Sequence, residues 1–348
     1  MPRIALAAAL AVALVPPAAS AQQPTVAWSA GPSLAIPRDH HAVFAVHAPE
    51  RDFLYVAGGT NYRDMFADVS RAEIRDDGTL GEWESAMPLP TPRAGLSVVV
   101  SGGVVVAAGG QIQTADRRLP RIAEVYVARL DENGRIGEWR AAAPLPAPRF
   151  HHPMLAHAGR VYVVGGQGER DAEAGVFVAR VDDDGGIREW LETTPLPRAR
   201  SHHAALVHGG HVYVFGGLDG APGRPQAGFF DVIRAPILDD GMLGDWQTVA
   251  LMPHSLATHS AFVHDATVWM LGGVEDMQRF VADVWSAPLE DDGGIGDWEA
   301  VTPALPVARG HVHVTPVVRN RVYSVGGRIT TADGRPGVTG DVHIGVLP

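Results

Sequence analysis

The chain has 348 residues, no cysteine, a formal net charge of -11, and 28 basic residues that are all arginine. The absence of cysteine and lysine excludes disulfides, thiol nucleophiles, Schiff-base chemistry and a P-loop. The negative charge argues against general nucleic-acid binding, which needs a positive field, so we expect no nucleic-acid partner.

Residues 1–21 have the pattern of a signal peptide. Arg3 precedes an apolar run from Ile4 to Val15, and Ala19-Ser20-Ala21 supplies a small-x-small cleavage site. A run of about a dozen apolar residues is too short to span a bilayer as a helix. We predict cleavage after Ala21 and export to the periplasm or the medium, without membrane insertion.

Residues 22–348 are predicted to repeat one unit six times. Six tryptophans mark the period: Trp28, Trp83, Trp139, Trp190, Trp246 and Trp298. Glycine pairs follow the same period at 58–59, 109–110, 165–166, 216–217, 272–273 and 326–327. A period of about 50 residues indicates β-propeller blades. The units cover approximately 29–83, 84–139, 140–190, 191–246, 247–298, and 299–348 together with 24–28.

Each unit is predicted to contain four antiparallel strands. The first covers His203–His208 in the fourth unit, and the second runs into the glycine pair. The third covers Val125–Leu130 in the second unit, and the fourth contains the tryptophan. Between the last two lies an acidic turn such as DDGMLGDW (239–246), where glycine supplies the positive φ of a tight hairpin. These turns lack the ligand alternation of a calcium loop.

The two ends of the chain are predicted to meet in the sixth blade. The segment Thr25–Trp28 resembles an isolated fourth strand, and the chain stops after a third strand at Asp341–Val346. Pairing them closes the ring without an exposed edge. The predicted fold is therefore all-β, a six-bladed propeller closed by its N-terminal strand.

These features together resemble kelch repeats. The resemblance rests on the glycine pair after a β run, the spaced tryptophan and the Pro-x-Pro-Arg-x-x-His segment, for example PAPRFHH at 146–152, and it covers nearly all of residues 22–348. The acidic hairpin is tighter than the usual kelch turn. The resemblance implies that the loops between second and third strands surround the channel mouth, with the acidic hairpins on the opposite face.

Arginine and histidine recur at the start of the innermost strands. The arginines are Arg38, Arg93, Arg149, Arg200 and Arg309, with Leu256 in the fifth unit. Two residues later come His40, Gly95, His151, His202, Thr258 and His311. Because guanidinium groups bind carboxylates bidentately, this ring predicts an anionic small molecule, a glycan or an acidic protein segment as partner. Loop candidates for the same site are Asn61, Gln111, Gln167, Glu275 and Arg328.

Three alternatives stay open for these residues. They could hold the blades together through hydrogen bonds, in a protein-interaction scaffold without a small-molecule ligand. A distant resemblance to the periplasmic sialic-acid mutarotase implies a sugar isomerase, with Glu275, His151 or His202 as acid or base. Galactose oxidase, another kelch enzyme, needs a Cys–Tyr copper site and is excluded. The four histidines could ligate zinc or copper, but they come from separate blades beside arginines, so we predict no metal or cofactor.

Overall fold

The computed structural model describes residues 24–220, 226–276 and 278–348. The predicted signal peptide lies outside these residues, so its cleavage and export stay predictions. Every regular element in the described ranges is a β-strand. Accordingly, that part of the chain offers no apolar helix of membrane-spanning length.

Six four-stranded antiparallel sheets form the blades. Blade 6 takes its outer strand, β1 (Ala27–Gly31), from the N-terminal end of the described chain. Blade 1 contains β2 (Ala42–His47), β3 (Asp52–Ala57), β4 (Val69–Ile74) and β5 (Glu84–Ala86). Blade 2 contains β6 (Ser97–Ser101), β7 (Val104–Ala108), β8 (Val125–Arg129) and β9 (Arg140–Ala141).

The middle blades repeat this order. Blade 3 contains β10 (Met154–His157), β11 (Arg160–Val164), β12 (Val176–Arg180) and β13 (Leu191–Thr193). Blade 4 contains β14 (Ala204–His208), β15 (His211–Phe215), β16 (Asp231–Pro236) and β17 (Gln247–Leu251).

The last two blades carry small additional sheets. A three-stranded sheet is formed by β18 (Leu256–Ala257), β21 (Val274–Glu275) and β22 (Arg279–Phe280). Blade 5 itself contains β19 (Ser260–His264), β20 (Thr267–Leu271), β23 (Val284–Pro288) and β24 (Glu299–Ala300). Blade 6 contains β25 (Val317–Val318), β26 (Arg321–Val325), β29 (Val342–Val346) and β1, with a hairpin of β27 (Arg328–Thr330) and β28 (Pro336–Val338) in its loop.

The tryptophan of each repeat lies at or just before the fourth strand. β5, β9, β13, β17 and β24 each begin one residue after it, and Trp28 lies within β1. The indole nitrogen of Trp83 donates to the carbonyl of Pro32, and Trp190 and Trp246 donate in the same way to Ala143 and Thr194. In five blades the tryptophan therefore lies just before the fourth strand, not inside it as the sequence predicted. Its indole anchors the connection between neighbouring blades.

Apolar contact between neighbouring blades forms the core. The second strands are buried on both faces because a blade covers each side, which explains uninterrupted apolar runs such as Val212–Phe215. Buried side chains form six clusters, and each cluster joins two adjacent blades. Leu54 and Ile74 of blade 1 pack with Tyr323 and Ile344 of blade 6 in one of them. The apolar interface therefore continues between the last blade and the first.

Hydrogen bonds from the glycine pairs link each blade to the next. The second glycine donates its N–H to the backbone carbonyl of the next blade's arginine, or of Leu256 in blade 5, over 2.8–2.9 Å. The bond from Gly327 to Arg38 joins blade 6 to blade 1. Gly217 has a φ of 95°, and a Cβ there would lie 2.7 Å from the carbonyl oxygen of Ser201. Glycine is required here by both its φ and this close approach.

Strand pairing joins the two ends of the chain. β1 pairs antiparallel with β29, with Ala27 opposite Val346 and Gly31 opposite Val342. The third strand of blade 6 thus lies between β26 and the N-terminal strand. This is the pairing that the sequence predicted, and the all-β kelch-propeller fold class is confirmed.

Candidate functional site at the channel mouth

One residue near the start of each innermost strand has a left-handed backbone conformation. These six are His40, Gly95, His151, His202, Thr258 and His311, with φ between 49° and 63°. Histidine is one of the non-glycine residues that adopt this conformation more readily. Backbone N–H groups donate from one blade to the previous one, as from His202 to His151 at 3.3 Å and from Thr258 to His202 at 2.7 Å. This arrangement brings the histidines together.

The histidine side chains form one cluster, which we call the histidine cluster: the buried His40, His151, His202 and His311, and the partly buried His313. Ring centroids lie 4.3 Å apart for His40 and His311, 4.5 Å for His40 and His151, and 3.9 Å for His151 and His202. Nδ1 of His151 is 2.8 Å from Nε2 of His313. The structure thus brings together His40, His151, His202 and His311, which the sequence aligned at one repeat position.

Four members of the cluster, His151, His202, His311 and His313, are neutral at physiological pH. Burial, followed by the charge of neighbouring imidazoles, holds the pKa of His151, His311 and His313 well below the ordinary value. Burial, with His40, Arg121 and Arg328 nearby, lowers the pKa of His202 to about 3. Neutral imidazole offers one donor and one acceptor nitrogen. These rings can therefore bind polar groups, accept a proton or ligate a metal.

A buried carboxylate connects the cluster to an arginine. Oδ1 of Asp39 lies 2.7 Å from Nδ1 of His40, and its Oδ2 accepts a hydrogen bond of 2.6 Å from Nε of Arg328. Burial alone would raise the pKa of Asp39, but the charges of His40 and Arg328 hold it below its ordinary value. The Arg328 side chain is 23% exposed and lies over the ring of Tyr62, 4.8 Å from its centroid.

The five arginines of the predicted ring are buried, and most are anchored within their own blades. Arg200 makes a bidentate pair with Asp231 and donates to the Gly216 carbonyl at 3.1 Å. Arg38 makes the same bidentate pair with Asp68, whereas Arg93 donates to Glu124 through Nη2 alone, at 2.8 Å. Arg309 donates to backbone carbonyls, and burial lowers its pKa to about 10. These contacts favour the blade-anchoring alternative, and a ligand-binding role for the ring stays a prediction.

Arg149 differs from the other four. Blade 3 has Gly175 at the position that holds an acidic residue in the other blades, so Arg149 has no equivalent acidic partner on its third strand. Its Nη1 donates to the carbonyl of Pro148 at 3.0 Å, and its Nε has no hydrogen-bond partner in the described part of the chain. Burial lowers its pKa, an effect that the charge of Glu173 partly opposes.

The predicted loop residues have separate environments. Asn61 accepts backbone N–H bonds from Arg63 and Asp64 and so holds its own turn. The Gln111 amide donates to the carbonyl of Leu119. Glu275 pairs with His254 at 3.2 Å and with Arg279. The structure gives Glu275 these two partners and no contact with the histidine cluster among the described hydrogen bonds and ion pairs.

Gln167 lies closer to the histidine cluster. It is fully buried, and Ser201 donates to its Oε1 at 3.3 Å, while the same hydroxyl lies 2.8 Å from Nδ1 of His202. Its amide nitrogen lacks a hydrogen-bond partner in the ranges described above. Gln167 therefore supports the histidine cluster through Ser201.

Sequence reasoning missed His313, Arg121 and Asp39. His313 follows His311 by two residues, and alternation along an extended segment would have placed both on one side. Arg121 lies in a loop that no repeat position aligns, and it donates to the carbonyls of Gly168 and Glu169 in the next blade. Asp39 stands between Arg38 and His40 in the sequence, but its pairing with Arg328 depends on closure of the ring.

A cavity of about 620 Å³ lies along the innermost strands below the cluster. His41, His152, His203 and His313 line it together with apolar residues such as Phe44 and Met154. Burial lowers the pKa of His41 to about 4 and of His152 to about 3. The propeller axis thus has an apolar channel, with the charged groups Arg328 and Asp39 at the histidine cluster.

Comparisons with known proteins agree with this architecture. The pattern of the kelch motif matches residues 199–230. Beta-scruin of Limulus polyphemus is 23% identical over 82% of this chain and 31% of its own length. Kelch-like protein 40 of Mus musculus is 24% identical over 81% of this chain and 43% of its own. The chain thus spans less than half the length of these curated relatives.

A solved structure shows the same fold over nearly its whole length. The structure titled "Structure of YjhT" superposes with a TM-score of 0.68 at 14% identity, covering 89% of this chain and 95% of that one. At this identity the similarity concerns the fold. The motif match and the kelch relatives support the kelch-repeat β-propeller superfamily for this chain, and the solved structure supports the fold.

Proposed function

We propose that this protein is an exported binding protein that recognises a carboxylate-bearing sugar or glycan at the channel mouth. The observation that supports this most directly is the pair of Arg328 and Tyr62 beside the histidine cluster. Arg328 supplies a positive charge for the carboxylate, and Tyr62 supplies a flat surface for a sugar ring. Export rests on the signal-peptide pattern of residues 1–21.

Arg328 has the geometry for binding a carboxylate. Its Nε is held by Asp39, so the orientation of the guanidinium is fixed before a ligand arrives. The two terminal nitrogens form the remaining edge of the guanidinium fork, which matches a carboxylate bidentately. A fixed donor loses less side-chain entropy on binding than a free one.

Tyr62 has the environment of a contact residue. It is 52% exposed, although aromatic side chains of this size are usually buried to a large extent. Its φ of 72° lies in the left-handed region, and such strain in a non-glycine residue concentrates at functional sites. The turn of Asn61 fixes its position by accepting two backbone N–H bonds.

The charges around the mouth also favour an anion. Arg121 and Arg328 both lie close enough to His202 to lower its pKa. Asp39 is already paired with His40 and Arg328, and His151, His202 and His311 are neutral. Arg121 and Arg328 therefore place positive charge beside the cluster, although the whole chain is negative.

Substitution of Arg328 tests the carboxylate site. We expect glucuronate or a sialic acid to raise the melting temperature, and the corresponding neutral sugar to have no effect, because ligand binding stabilises the folded state. Arg328→Gln should weaken the affinity at least tenfold by calorimetry, since a charged hydrogen bond is worth about 1.5–3 kcal/mol. Tyr62→Ala should weaken it independently of charge.

Arg135→Gln is the matched control. Arg135 is an exposed arginine on an acidic hairpin, so this variant changes the net charge equally and should keep the affinity. If Arg328→Gln binds acidic sugars as well as the unmodified protein, the proposed site is wrong. If no acidic sugar binds but an acidic peptide does, the partner is a protein segment instead.

A sugar isomerase is the second candidate, favoured by the contact of Asp39 with His40. A carboxylate can orient an imidazole and stabilise its protonated form, and His151 and His311 lie within 4.5 Å and 4.3 Å of His40 between ring centroids. Ring opening of a sugar acid needs one acid and one base. We expect faster anomer interconversion by NMR, and its loss in His40→Thr, which introduces the residue type found in blade 5. Interconversion at the uncatalysed rate would rule this candidate out.

A further inference from the structure

The structure brings together histidine nitrogens that the sequence leaves in separate repeats. From this geometry we propose that His40, His151 and His311 form a binding site for one divalent transition-metal ion, with Zn²⁺ and Cu²⁺ as the fitting ions. Their ligand nitrogens all lie within 4.8 Å of one another, and all three residues are buried. Imidazole nitrogen is a preferred ligand of both ions.

Small movements suffice to complete this site. Three nitrogens at about 2.0–2.1 Å from one ion are separated by roughly 3.3–3.6 Å in tetrahedral or trigonal geometry. The histidine nitrogens must therefore approach by about an ångström, which rotation of the imidazole rings can provide. Nδ1 of His311 has no hydrogen-bond partner in the described ranges, so binding through this atom breaks no existing bond.

The other contacts orient the rings for metal binding. Nδ1 of His40 faces Asp39, which leaves Nε2 as the ligand atom. Nδ1 of His151 faces His313, which again leaves Nε2. A metal-bound histidine commonly donates its second nitrogen to a carboxylate or another acceptor. Asp39 is thus a positioning residue for His40.

Acidic partners offset the charges of four arginines near the cluster. The sequence suggested that the arginine ring would repel a cation, but Arg38, Arg93 and Arg200 are paired with Asp68, Glu124 and Asp231. Arg328 is paired with Asp39.

The cluster therefore offers three protein ligands and an open position for a fourth. Three histidines with one open position can hold a zinc ion that also binds water or an oxygen ligand. This inference is independent of the proposed carboxylate site, because its ligands are the imidazoles rather than Arg328 or Tyr62.

Cobalt titration of the purified protein tests the proposal. After treatment with a chelator, Co²⁺ should produce visible absorption that saturates at one equivalent, and Zn²⁺ should displace it. His151→Gly and His311→Gly should each weaken Zn²⁺ binding by about a hundredfold or more, because removing even an outer-shell partner costs 10- to 100-fold. Both variants introduce the residue of blade 2, Gly95, which accepts the same positive φ.

The control is the double variant His208→Gln and His211→Gln. These two histidines pair across a hairpin outside the cluster and are the obvious alternative surface site. The double variant should bind one equivalent of Co²⁺ with unchanged affinity. The proposal is overturned if Co²⁺ produces no visible absorption. It is also overturned if Co²⁺ binding is lost in this control and kept in His151→Gly. Arg328→Gln should lose acidic-sugar binding and retain the metal, which distinguishes failure of one site from failure of the other.

Discussion

Acidification should unfold this protein well above the pH at which most carboxylates titrate. Burial lowers the pKa of His152, His202 and His259 to about 3 and that of His41 to about 4. In the unfolded chain each histidine has a pKa of about 6.5. Between these values the unfolded state binds more protons, so stability is complete above pH 6.5 and falls as the pH decreases toward the folded values.

The expected loss is large compared with the stability of a domain. Each buried histidine costs roughly 1 kcal/mol for every pH unit below 6.5. Four such residues lose several kcal/mol within the first one or two units, while a typical domain has about 5–15 kcal/mol in total. We expect the urea midpoint, measured with a chelator present, to fall steeply between pH 6.5 and pH 5.

Blade 2 suggests the matched variant for this experiment. Leu96 occupies the repeat position that His259 occupies in blade 5, so His259→Leu introduces a residue that the repeat already accepts. Both ring nitrogens of His259 lack hydrogen-bond partners among the described residues, so little is lost at pH 7. The variant should lose less stability than the unmodified protein between pH 6.5 and pH 5. If the stability of the unmodified protein does not change between pH 6.5 and pH 5, or if it falls equally steeply in the variant, buried histidines are not the cause of the acid sensitivity.

Arg200→Leu should destabilise the fold more than Arg149→Leu. Arg200 is 1% exposed and makes a bidentate pair with Asp231, whose side chain is 26% exposed. Removal of the arginine leaves a partly buried carboxylate without its partner, and we expect a loss of about 3 kcal/mol, the lower end of what breaking a buried pair costs. Arg149 has Gly175 in place of that acid, so its replacement should cost about 1 kcal/mol, the value of one hydrogen bond.

Leucine is a suitable replacement because blade 5 has Leu256 at this position. Urea denaturation at pH 7 measures both losses, and the double variant Arg200→Leu with Asp231→Ala should recover part of the stability by removing the unpaired carboxylate. Equal losses for the two arginines would contradict the anchoring role. If Arg200→Leu kept its stability and lost acidic-sugar binding, the arginine ring would instead be part of the ligand site.

The positions of the arginines illustrate what a repeat pattern predicts and what it does not. Recurrence placed Arg38, Arg93, Arg149, Arg200 and Arg309 at one structural position, and the structure confirms this equivalence. It did not reveal where each guanidinium finds its partner. That partner is an acidic residue about 30 positions later in three blades, and bringing the two together requires the blade to fold.

Fold class and strand order followed from local sequence features. Glycine pairs, hairpin turns and apolar runs act over a few residues, because backbone conformation and side-chain burial are set by neighbours along the chain. The period of these features was enough to predict six four-stranded sheets. The pairing of the two ends also followed from the sequence, since each end is an incomplete blade and exposed strand edges are unfavourable.

The candidate site depended on tertiary structure. Asp39 and Arg328 are 289 residues apart, and His151 and His313 are 162 residues apart, and both pairs meet because the ring closes. The sequence by itself determined a kelch-type propeller with histidines near one end of the channel. Only the tertiary structure decided that these histidines lie together and are mostly buried, that most ring arginines have partners within their own blades, and that Arg328 and Tyr62 lie together at the mouth. Distance and burial are properties of the closed ring, and no local segment contains them.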